Sequence, residues 1–392
     1  MNRLGNSLLQ KHRQLKGKIA ISCKAKIRSR EDLATYYTPG IAAVASKIAK
    51  QKCKIWEYTS RSNLVAVVSD GSAVLGLGNI GAEAAQPVMA GKAILFKEFA
   101  GIDAFPICLD TQNAEEIIKI CKALAPSFAG INLEDIAAPR CFEIEKKLQD
   151  IGIPVMHDDQ HGTAVVVLAA LINATKVIGK KLDECHLVIS GLGAAGTAIA
   201  TMVNKYTKGK IIIDPTDKEG AVCPNLEANS HKKAVCKSIK HSATKGSLED
   251  VIKGADIFIG VSAPNVLSKK MVESMANNAI VFALANPIPE IDPLVAKKAG
   301  AKIVATGRSD LPNQVNNVLA FPGIFKGALE AKAIKITENM KIAASLALAK
   351  TIKPRTDFIL PDPLDKTVVD KIAREVKKAA IKEGVVRKIC AP

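Results

Sequence analysis

Aromatic residues are scarce in this 392-residue chain, where they make up 4% of the sequence and include a single Trp. Proteins that bind single-stranded nucleic acid combine clustered basic runs with aromatic side chains on which bases stack. Here the 55 Lys and Arg residues exceed the 38 Asp and Glu residues, for a formal net charge of +17, but they are dispersed along the chain. We therefore expect no nucleic-acid partner, and we expect the charge to favour small anions such as nucleotides and polycarboxylates.

Paired cysteine motifs are also missing. The nine cysteines are scattered and include no Cys-x-x-Cys, which argues against a zinc ribbon and a thioredoxin-type site. Cys223, His231, Cys236 and His241 crowd one segment, but their spacing matches no standard zinc finger. Ordinary thiols of a protein in a reducing cytosol are the preferred interpretation.

The chain has no apolar run long enough for a membrane span, and "AVVVLAALI" at residues 164–172 is interpreted as part of a buried helix. We therefore expect no membrane partner. The first thirty residues contain no Asp or Glu, as in organelle presequences, but they lead directly into sequence typical of a folded enzyme. Cytoplasmic residence is the expectation, with an organellar matrix as the alternative.

Short apolar runs alternate with helical patterns from about Leu64 onward. This alternation predicts an α/β protein built on parallel sheets. A boundary near residues 160–163 separates an N-terminal α/β domain, 1–160, from a second domain, 161–392. Thr163 is expected to cap the helix that follows the boundary, and a basic amphipathic docking helix is expected from Asp362 to Gly384.

Two segments fit the dinucleotide-binding pattern Gly-x-Gly-x-x-Gly, namely "GLGNIG" at 76–81 and "GLGAAG" at 191–196. A working fingerprint needs a strand before it, a helix after it and an acid that ends the next strand. Only the second loop has all three, with "HLVIS" before it, "TAIATMVNK" after it and Asp214 closing "KIIID". We therefore predict a Rossmann-type NAD or NADP site there and a structural role, or the shaping of a different pocket, for the first loop. The residues expected to hold the cofactor are Gly191, Gly193, Ala194, Ala195, Gly196, Thr197 and Asp214.

The choice between NAD and NADP stays open at this point. Asp214 alone favours NAD, because an acid binds the ribose hydroxyls. However, Lys218, Lys232 and Lys233 follow it and could receive a 2′-phosphate.

Two acidic doublets each follow an apolar run: Glu134–Asp135 in "GINLEDI" and Asp158–Asp159 in "VMHDDQH". Strand carboxyl ends in a parallel sheet are where ligands bind, and four converging acids would repel one another without a cation. An all-oxygen set suits Mg²⁺ or Mn²⁺. For either doublet alone, solvated loop acids are the simpler interpretation; the two together predict a metal site.

Lys92 lies in an otherwise apolar helical segment, "MAGKAILF". Such a lysine is usually a surface residue, but in a cleft its partial desolvation would lower its pKa toward that of a useful base. Tyr36 and Tyr37 precede a Pro-Gly turn in "ATYYTPG", where a phenol can act as an acid, although tyrosines near turns more often cover a core.

Several long motifs together resemble the malic enzyme family, in its short bacterial-type form, over about residues 8–388. They are "YTPG", "VSDGSAVLGLGNIGAEAAQPVMAGKA", "INLEDIAAPRCFEIE", "IPVMHDDQHGTA", "GLGAAGTA", "FALANPIPEI" and "ATGRSDLPNQVNNVLAFPGIFKGAL". The resemblance implies oxidation of L-malate with NAD⁺ or NADP⁺, decarboxylation to pyruvate, and a requirement for Mn²⁺ or Mg²⁺. It also implies that the first domain holds substrate and metal, and that the protein is a homodimer that shares active-site residues across its interface.

The resemblance also implies roles for individual residues. Tyr37 matches the family's general acid, Lys92 its general base and Asp158 the acid that assists the base. The implied metal ligands are Glu134, Asp135 and Asp159. The residues implied to contact substrate are Lys92, Asn286, Asn316 and Asn317, with Asn286 also contacting the cofactor.

The sequence departs from some relatives at Ala73, where longer forms have an arginine that clamps a carboxylate. Two alternative functions remain: a malolactic-type lyase that keeps NAD bound and releases lactate, and a non-catalytic basic nucleotide-binding protein. The presence of Tyr37, Lys92 and both acidic doublets argues against the second.

Overall fold

Two β-sheets organise the part of the chain that the computed structural model describes, residues 3–74, 76–223 and 230–388. The first sheet has four parallel strands in the order β2-β1-β3-β4. Its strands are β1 Leu64–Ser69, β2 Asp103–Cys108, β3 Gly130–Leu133 and β4 Val155–His157. The accompanying helices are α1 Arg3–Leu15, α2 Arg30–Tyr36, α3 Ile41–Lys50, α4 Ile55–Tyr58, α5 Ala82–Ala100, α6 Ala114–Leu124 and α7 Arg140–Lys147.

The second sheet has six strands in the order β10-β9-β8-β5-β6-β7, parallel except for the β6–β7 pair. These strands are β5 His186–Ser190, β6 Ile212–Asp217, β7 Gly220–Ala221, β8 Ile257–Gly260, β9 Ile280–Ala283 and β10 Ile303–Thr306. The first helix after β4 links the two sheets, and further helices accompany the second sheet. They are α8 Asp158–Ile178, α9 Ala194–Tyr206, α10 Ser230–Ser238, α11 Leu248–Val251, α12 Lys269–Glu273, α13 Pro293–Lys298, α14 Phe321–Glu330, α15 Glu338–Ala349 and α16 Thr367–Lys382. The predicted α/β class with a Rossmann-type parallel sheet is confirmed.

Helix α8 links the two sheets and crosses the boundary predicted at residues 160–163. It begins at Asp158, directly after β4, so the expectation that Thr163 caps it is wrong. Every residue from 164 to 175 is buried, because the helix packs on α9 and α15. Among the described residues it is the one helix long and apolar enough to cross a membrane, but most of it is enclosed by the protein, as in a core helix.

The N-terminal arm, which we define as residues 7–50, contributes no side chain to the core. Helices α2 and α3 bury no residue, and α1 is exposed along residues 7–15. Large apolar side chains therefore face solvent in the single chain: Leu8, Leu9, Leu15, Ile21, Ile27, Leu33, Tyr36, Tyr37 and Ile41.

The predicted C-terminal helix is present as α16. Its apolar face, which includes Val368, Ile372 and Val376, is buried against α14 and α15. Its docking is close, because α14 presents Gly323 and Gly327 to it: a Cβ on Gly327 would lie 2.4 Å from the Ala373 carbonyl oxygen.

The interpretation as ordinary thiols is wrong for Cys53, Cys223 and Cys236, which are disulfide-bonded. Cys223, after β7, and Cys236, in α10, form a disulfide whose Cα atoms are 5.2 Å apart. This bond also rules out the pair as free thiolate ligands for zinc. The free thiols among the described residues are Cys23, Cys108, Cys121, Cys141 and Cys185.

We predict that Gly327→Ala lowers the free energy of unfolding by about 1–3 kcal/mol, because the added methyl group overpacks the α14–α16 contact. Urea denaturation of the full chain measures the change. Gly91→Ala in α5 is the matched control, since the nearest heavy atom to its new Cβ would be Lys18 Nζ at 3.7 Å. That control should be neutral or stabilising by about 0.5–1 kcal/mol, and an equal loss in both variants would contradict the packing argument.

Candidate active site

A cleft of about 730 Å³ lies where the carboxyl ends of strands from both sheets meet. One wall comes from the loops after β1 and β3 and from the first turn of α8, and the other from the loops after β5, β8 and β9. The described residues that line it include Asp135, Asp159, Asn286, Asn316 and Asn317, but no Lys or Arg. The cleft therefore brings together side chains predicted from distant segments of the sequence.

Three carboxylates form a compact group at one end of the cleft. Glu134, Asp135 and Asp159 each offer one oxygen, and these oxygens all lie within 4.8 Å of one another. The Asp135 backbone N–H donates to Asp159 Oδ2 at 2.8 Å, which joins the turn after β3 to the start of α8. Burial raises the pKa of each of the three groups, and their mutual repulsion adds to the rise for Glu134 and Asp135. A divalent cation would relieve this repulsion, and the all-oxygen donor set fits Mg²⁺ or Mn²⁺.

Lys92 of α5 contacts both acidic doublets. Its Nζ lies 2.6 Å from Asp158 Oδ2 and 2.8 Å from Glu134 Oε1, and 4.3 Å from the centroid of the Phe321 ring. Burial alone would lower the pKa of Lys92, but the charges of Asp158 and Glu134 outweigh it and raise the pKa above its ordinary value. The expectation of a lowered pKa is therefore wrong for this arrangement, because the sequence reasoning counted desolvation without the adjoining carboxylates.

Asp158 is fully buried and links Lys92 to the second domain. Its Oδ2 also accepts a hydrogen bond of 2.5 Å from Asn317 Nδ2. Burial raises the pKa of Asp158 to about 6. A Cβ at position 162 would lie 1.8 Å from Asp158 Oδ1, so Gly162 leaves the space that this carboxylate occupies.

The second glycine loop makes the turn from β5 to α9. Gly191 has φ +100°, and a Cβ there would lie 2.7 Å from the Val261 carbonyl oxygen; a Cβ on Gly196 would lie 1.9 Å from the Gly191 carbonyl oxygen. These two glycines are required by the fold itself. Gly193 has no such neighbour within 4 Å and lines the cleft with Ala194 and Ala195 at the N-terminus of α9. That open backbone fits the close approach of a pyrophosphate, which the helix N-terminus would stabilise.

Thr197, the remaining residue predicted in this loop, is buried and hydrogen-bonded to His231 at 3.0 Å. Thr197 therefore stabilises the turn but does not line the cleft. The first glycine loop lies on the opposite wall, where Gly76 and Gly78 line the cleft and Gly81 precedes α5.

The expectation that Asp214 closes its strand is wrong. Strand β6 continues past Asp214 and Pro215 to Asp217, so Asp214 lies within the sheet, opposite Val188. Its carboxylate is buried and accepts hydrogen bonds from His186 Nε2 at 2.7 Å and from the Ser242 backbone N–H at 2.9 Å. Asp217 ends the strand instead, paired with Lys232 of α10.

The structure does not bring Tyr37 to the other predicted catalytic residues. Tyr37 lies at the end of α2 in the N-terminal arm, 65% exposed, and it does not line the cleft. Tyr36 is 52% exposed. Neither tyrosine is therefore part of a site built by one chain alone.

The three predicted asparagines all line the cleft. Asn286 precedes a cis peptide bond to Pro287 and packs so closely on Gly307 that a Cβ there would lie 2.6 Å from its Nδ2. Asn316 Oδ1 accepts from the Val318 backbone N–H at 3.0 Å, which starts the turn that carries Asn317.

Sequence reasoning missed residues that support the acids. Asn132, buried in β3, donates to Glu134 Oε2 at 2.7 Å, and Phe321 supplies the ring beside Lys92. Glu145 of α7 accepts hydrogen bonds from the residues around Asp158 and Asp159. A polar residue within a buried strand could have pointed to Asn132; the other two depend on contacts between distant segments.

Comparison with known proteins agrees with the geometry. Residues 16–149 match the family model for the malic enzyme N-terminal domain, and residues 160–381 match the model for the malic enzyme NAD binding domain. An NAD-dependent malic enzyme of Geobacillus stearothermophilus is 52% identical over 95% of this chain and 78% of its own length. A bifunctional malic/malolactic enzyme of Bacillus subtilis is 49% identical over 98% and 95% of the two lengths. The crystal structure of an NAD-dependent malic enzyme from Thermotoga maritima has a TM-score of 0.91 at 49% identity, covering 94% of this chain and 98% of that chain.

We predict that Gly193→Ala raises the Kd for NADH about tenfold or more, because the added methyl group occupies the space that the phosphates approach. Its free energy of unfolding should change by no more than about 0.5 kcal/mol. Fluorescence titration with NADH and urea denaturation measure the two quantities. Gly191→Ala is the comparison, since it should destabilise the fold directly. Unaltered NADH binding by a folded Gly193→Ala protein would refute this role.

Proposed function

Because this chain belongs to the malic enzyme family, we propose that it oxidises L-malate with NAD⁺ or NADP⁺ and releases pyruvate and CO₂. The observation that carries the proposal is the contact of Lys92 with Asp158 and Glu134, next to a cleft that is also lined by the glycine turn of the second domain. The groups proposed for proton transfer, for cation binding and for dinucleotide binding therefore lie around one space. The cofactor is NAD or NADP, as in relatives of both kinds.

The residues of this chain move the proton of the C2 hydroxyl group. Lys92 is the base, and Asp158 Oδ2, 2.6 Å from its Nζ, exchanges protons with it without rearrangement. The charges of Asp158 and Glu134 raise the pKa of Lys92, so Lys92 would act as the base once a bound cation offsets those charges. Asn317 holds the same oxygen from the second domain, so the acceptor is fixed relative to both cleft walls.

Glu134, Asp135 and Asp159 would hold Mg²⁺ or Mn²⁺. When bound, the cation would supply polarisation of the C2 oxygen and relief of the negative charge around Lys92, and the nicotinamide would supply acceptance of the hydride. The Asp135 N–H bond to Asp159 and the Asn132 bond to Glu134 keep the donor oxygens together. Asp217, rather than Asp214, would reach the cofactor ribose, with Lys232 modulating its charge.

The protein is proposed to act as a homodimer in which Tyr37 completes the site of the partner subunit. Two observations support this assembly: the N-terminal arm exposes a series of large apolar side chains, and the described residues that line the cleft of one chain include no tyrosine to protonate C3 of the product. Exposed apolar surface of this extent is typical of an interface. Tyr37 in the partner's cleft would donate that proton.

We predict that the wild-type protein, with Mn²⁺ and L-malate, reduces NAD⁺ or NADP⁺ at 340 nm and forms pyruvate. Lys92→Ala should lower this rate by a factor of about 10²–10⁴, the usual contribution of a general base. Lys97→Ala, on an exposed turn of the same helix, is the matched control and should retain the rate. Lactate formation without accumulation of reduced cofactor would replace the proposal with the malolactic reaction, and absence of both reactions would refute it.

A mixing experiment tests the shared site. Lys92→Ala and Tyr37→Phe homodimers should each be inactive in pyruvate formation, and subunit exchange between them should restore about one quarter of wild-type activity, because half of the random dimers are mixed and each has one complete site. Mixing wild-type protein with each variant calibrates the exchange. No recovery after demonstrated exchange would place Tyr37 within its own chain's site, and an active Tyr37→Phe homodimer would place it outside catalysis.

A further inference from the structure

The sequence "HDDQH" at residues 157–161 surrounds Asp158 and the proposed metal ligand Asp159 with three polar residues that the proposed reaction does not use. All three converge on one carboxylate, that of Glu145 in α7. Glu145 Oε1 accepts the backbone N–H of His157 at 3.0 Å, and its Oε2 accepts from Gln160 Nε2 at 3.4 Å and lies 2.8 Å from His161 Nε2. One side chain thus holds the residues immediately before and after Asp158 and Asp159.

This carboxylate is buried and charged. Glu145 is 8% exposed, and burial by itself would raise its pKa. His161 and the hydrogen bonds that Glu145 accepts outweigh that effect and lower the pKa to about 2. Both oxygens of this buried carboxylate accept hydrogen bonds. Because losing any of these bonds would leave the buried charge less well compensated, at a cost in free energy, Glu145 holds its partners in a narrow geometry.

The contact supplies a cap that α8 does not make for itself. The residue at its N-terminus, His157, has no side-chain capping hydrogen bond. In a capping box, the Glu or Gln at the third helical position reaches back to the backbone N–H of the N-cap residue. Here that position is Gln160, whose Nε2 donates to Glu145 Oε2 instead, and Glu145 of another helix binds the backbone N–H of the N-cap residue in its place.

Helix α7 is itself anchored to the substrate side of the cleft. Its first residue, Arg140, donates to Asp70 Oδ2 at 3.0 Å, directly after β1, and Ile144 and Cys141 are fully buried beneath it. The Glu145 carboxylate is therefore fixed to the first sheet. The first turn of α8 takes its position from this carboxylate, so Asp158 meets Lys92 while Asp159 meets Asp135.

We propose that Glu145 is a positioning residue for the metal site, which it serves by fixing the first turn of α8. This inference rests on the proposed cation site of Glu134, Asp135 and Asp159. Groups that hydrogen-bond to metal ligands typically change metal affinity 10- to 100-fold when they are mutated. We expect an effect of about that size for Glu145, which acts on Asp159 through the residues on either side of it.

The experiment measures Mn²⁺ binding by the full-length protein from the electron paramagnetic resonance signal of free Mn²⁺, without turnover. Glu145→Gln keeps the size of the side chain and one acceptor oxygen but removes its charge, and Glu145→Ala removes all three contacts. Glu143→Gln, on an exposed face of the same helix, is the matched control. NADH Kd and the free energy of unfolding are measured for each variant, since a general loss of structure would change all three quantities.

We expect Glu145→Gln to raise the Mn²⁺ Kd about tenfold or more, with NADH Kd and the control variant unaffected. Unchanged Mn²⁺ affinity in Glu145→Gln overturns the inference, even if Glu145→Ala fails to fold. Equal weakening of Mn²⁺ and NADH binding also overturns it, because Glu145 would then only stabilise the fold.

Asp159→Ala separates this inference from the proposed metal site. If the wild-type protein binds Mn²⁺ and Asp159→Ala does not, the cation site stands, and the Glu145 variants decide the inference alone. If Mn²⁺ binding is absent from the wild-type protein or survives Asp159→Ala, the cation site fails and the inference fails with it.

Discussion

The site depends on one buried cation among crowded carboxylates. Lys92 lies within 2.8 Å of two acids from different segments, and burial raises the pKa of every carboxyl group around it. A buried charge without a partner is strongly destabilising, so Lys92 and its acids require one another. The same interaction that makes the centre stable therefore also fixes the distance over which a proton is exchanged.

That constraint extends outward through supporting contacts. Asn132, Asn317 and Glu145 each hold one of the acids or its neighbours, and they come from β3, from the segment before α14 and from α7. The cleft is thus assembled from elements of both sheets. The N-terminal arm is the exception, because it lies outside this network and exposes its apolar side chains.

Much of this arrangement follows from local patterns. Acids that directly follow buried parallel strands meet at one edge of a sheet, which is why the Glu134–Asp135 and Asp158–Asp159 doublets could be placed together. Asp214 could not be placed correctly, because the length of β6 is set by pairing with β5 through Thr216 and not by the apolar run that precedes Pro215. The pKa direction of Lys92 and the role of Glu145 depend on neighbours more than ten residues away in sequence, and the position of Tyr37 depends on how the arm is packed. No periodicity in the chain carries that information.

Helix α8 has a consequence for the modularity of the fold. It provides the core of the second domain along its buried length, yet its first turn carries two acids that belong chemically to the first sheet. A fragment ending where the N-terminal family match ends, at residue 149, would keep Lys92 and Glu134 but lose both partners from α8. The two halves therefore cannot work separately, because each would hold only part of the set of charged side chains around Lys92. Recombination between family members would have to exchange α7 and α8 together to preserve this set.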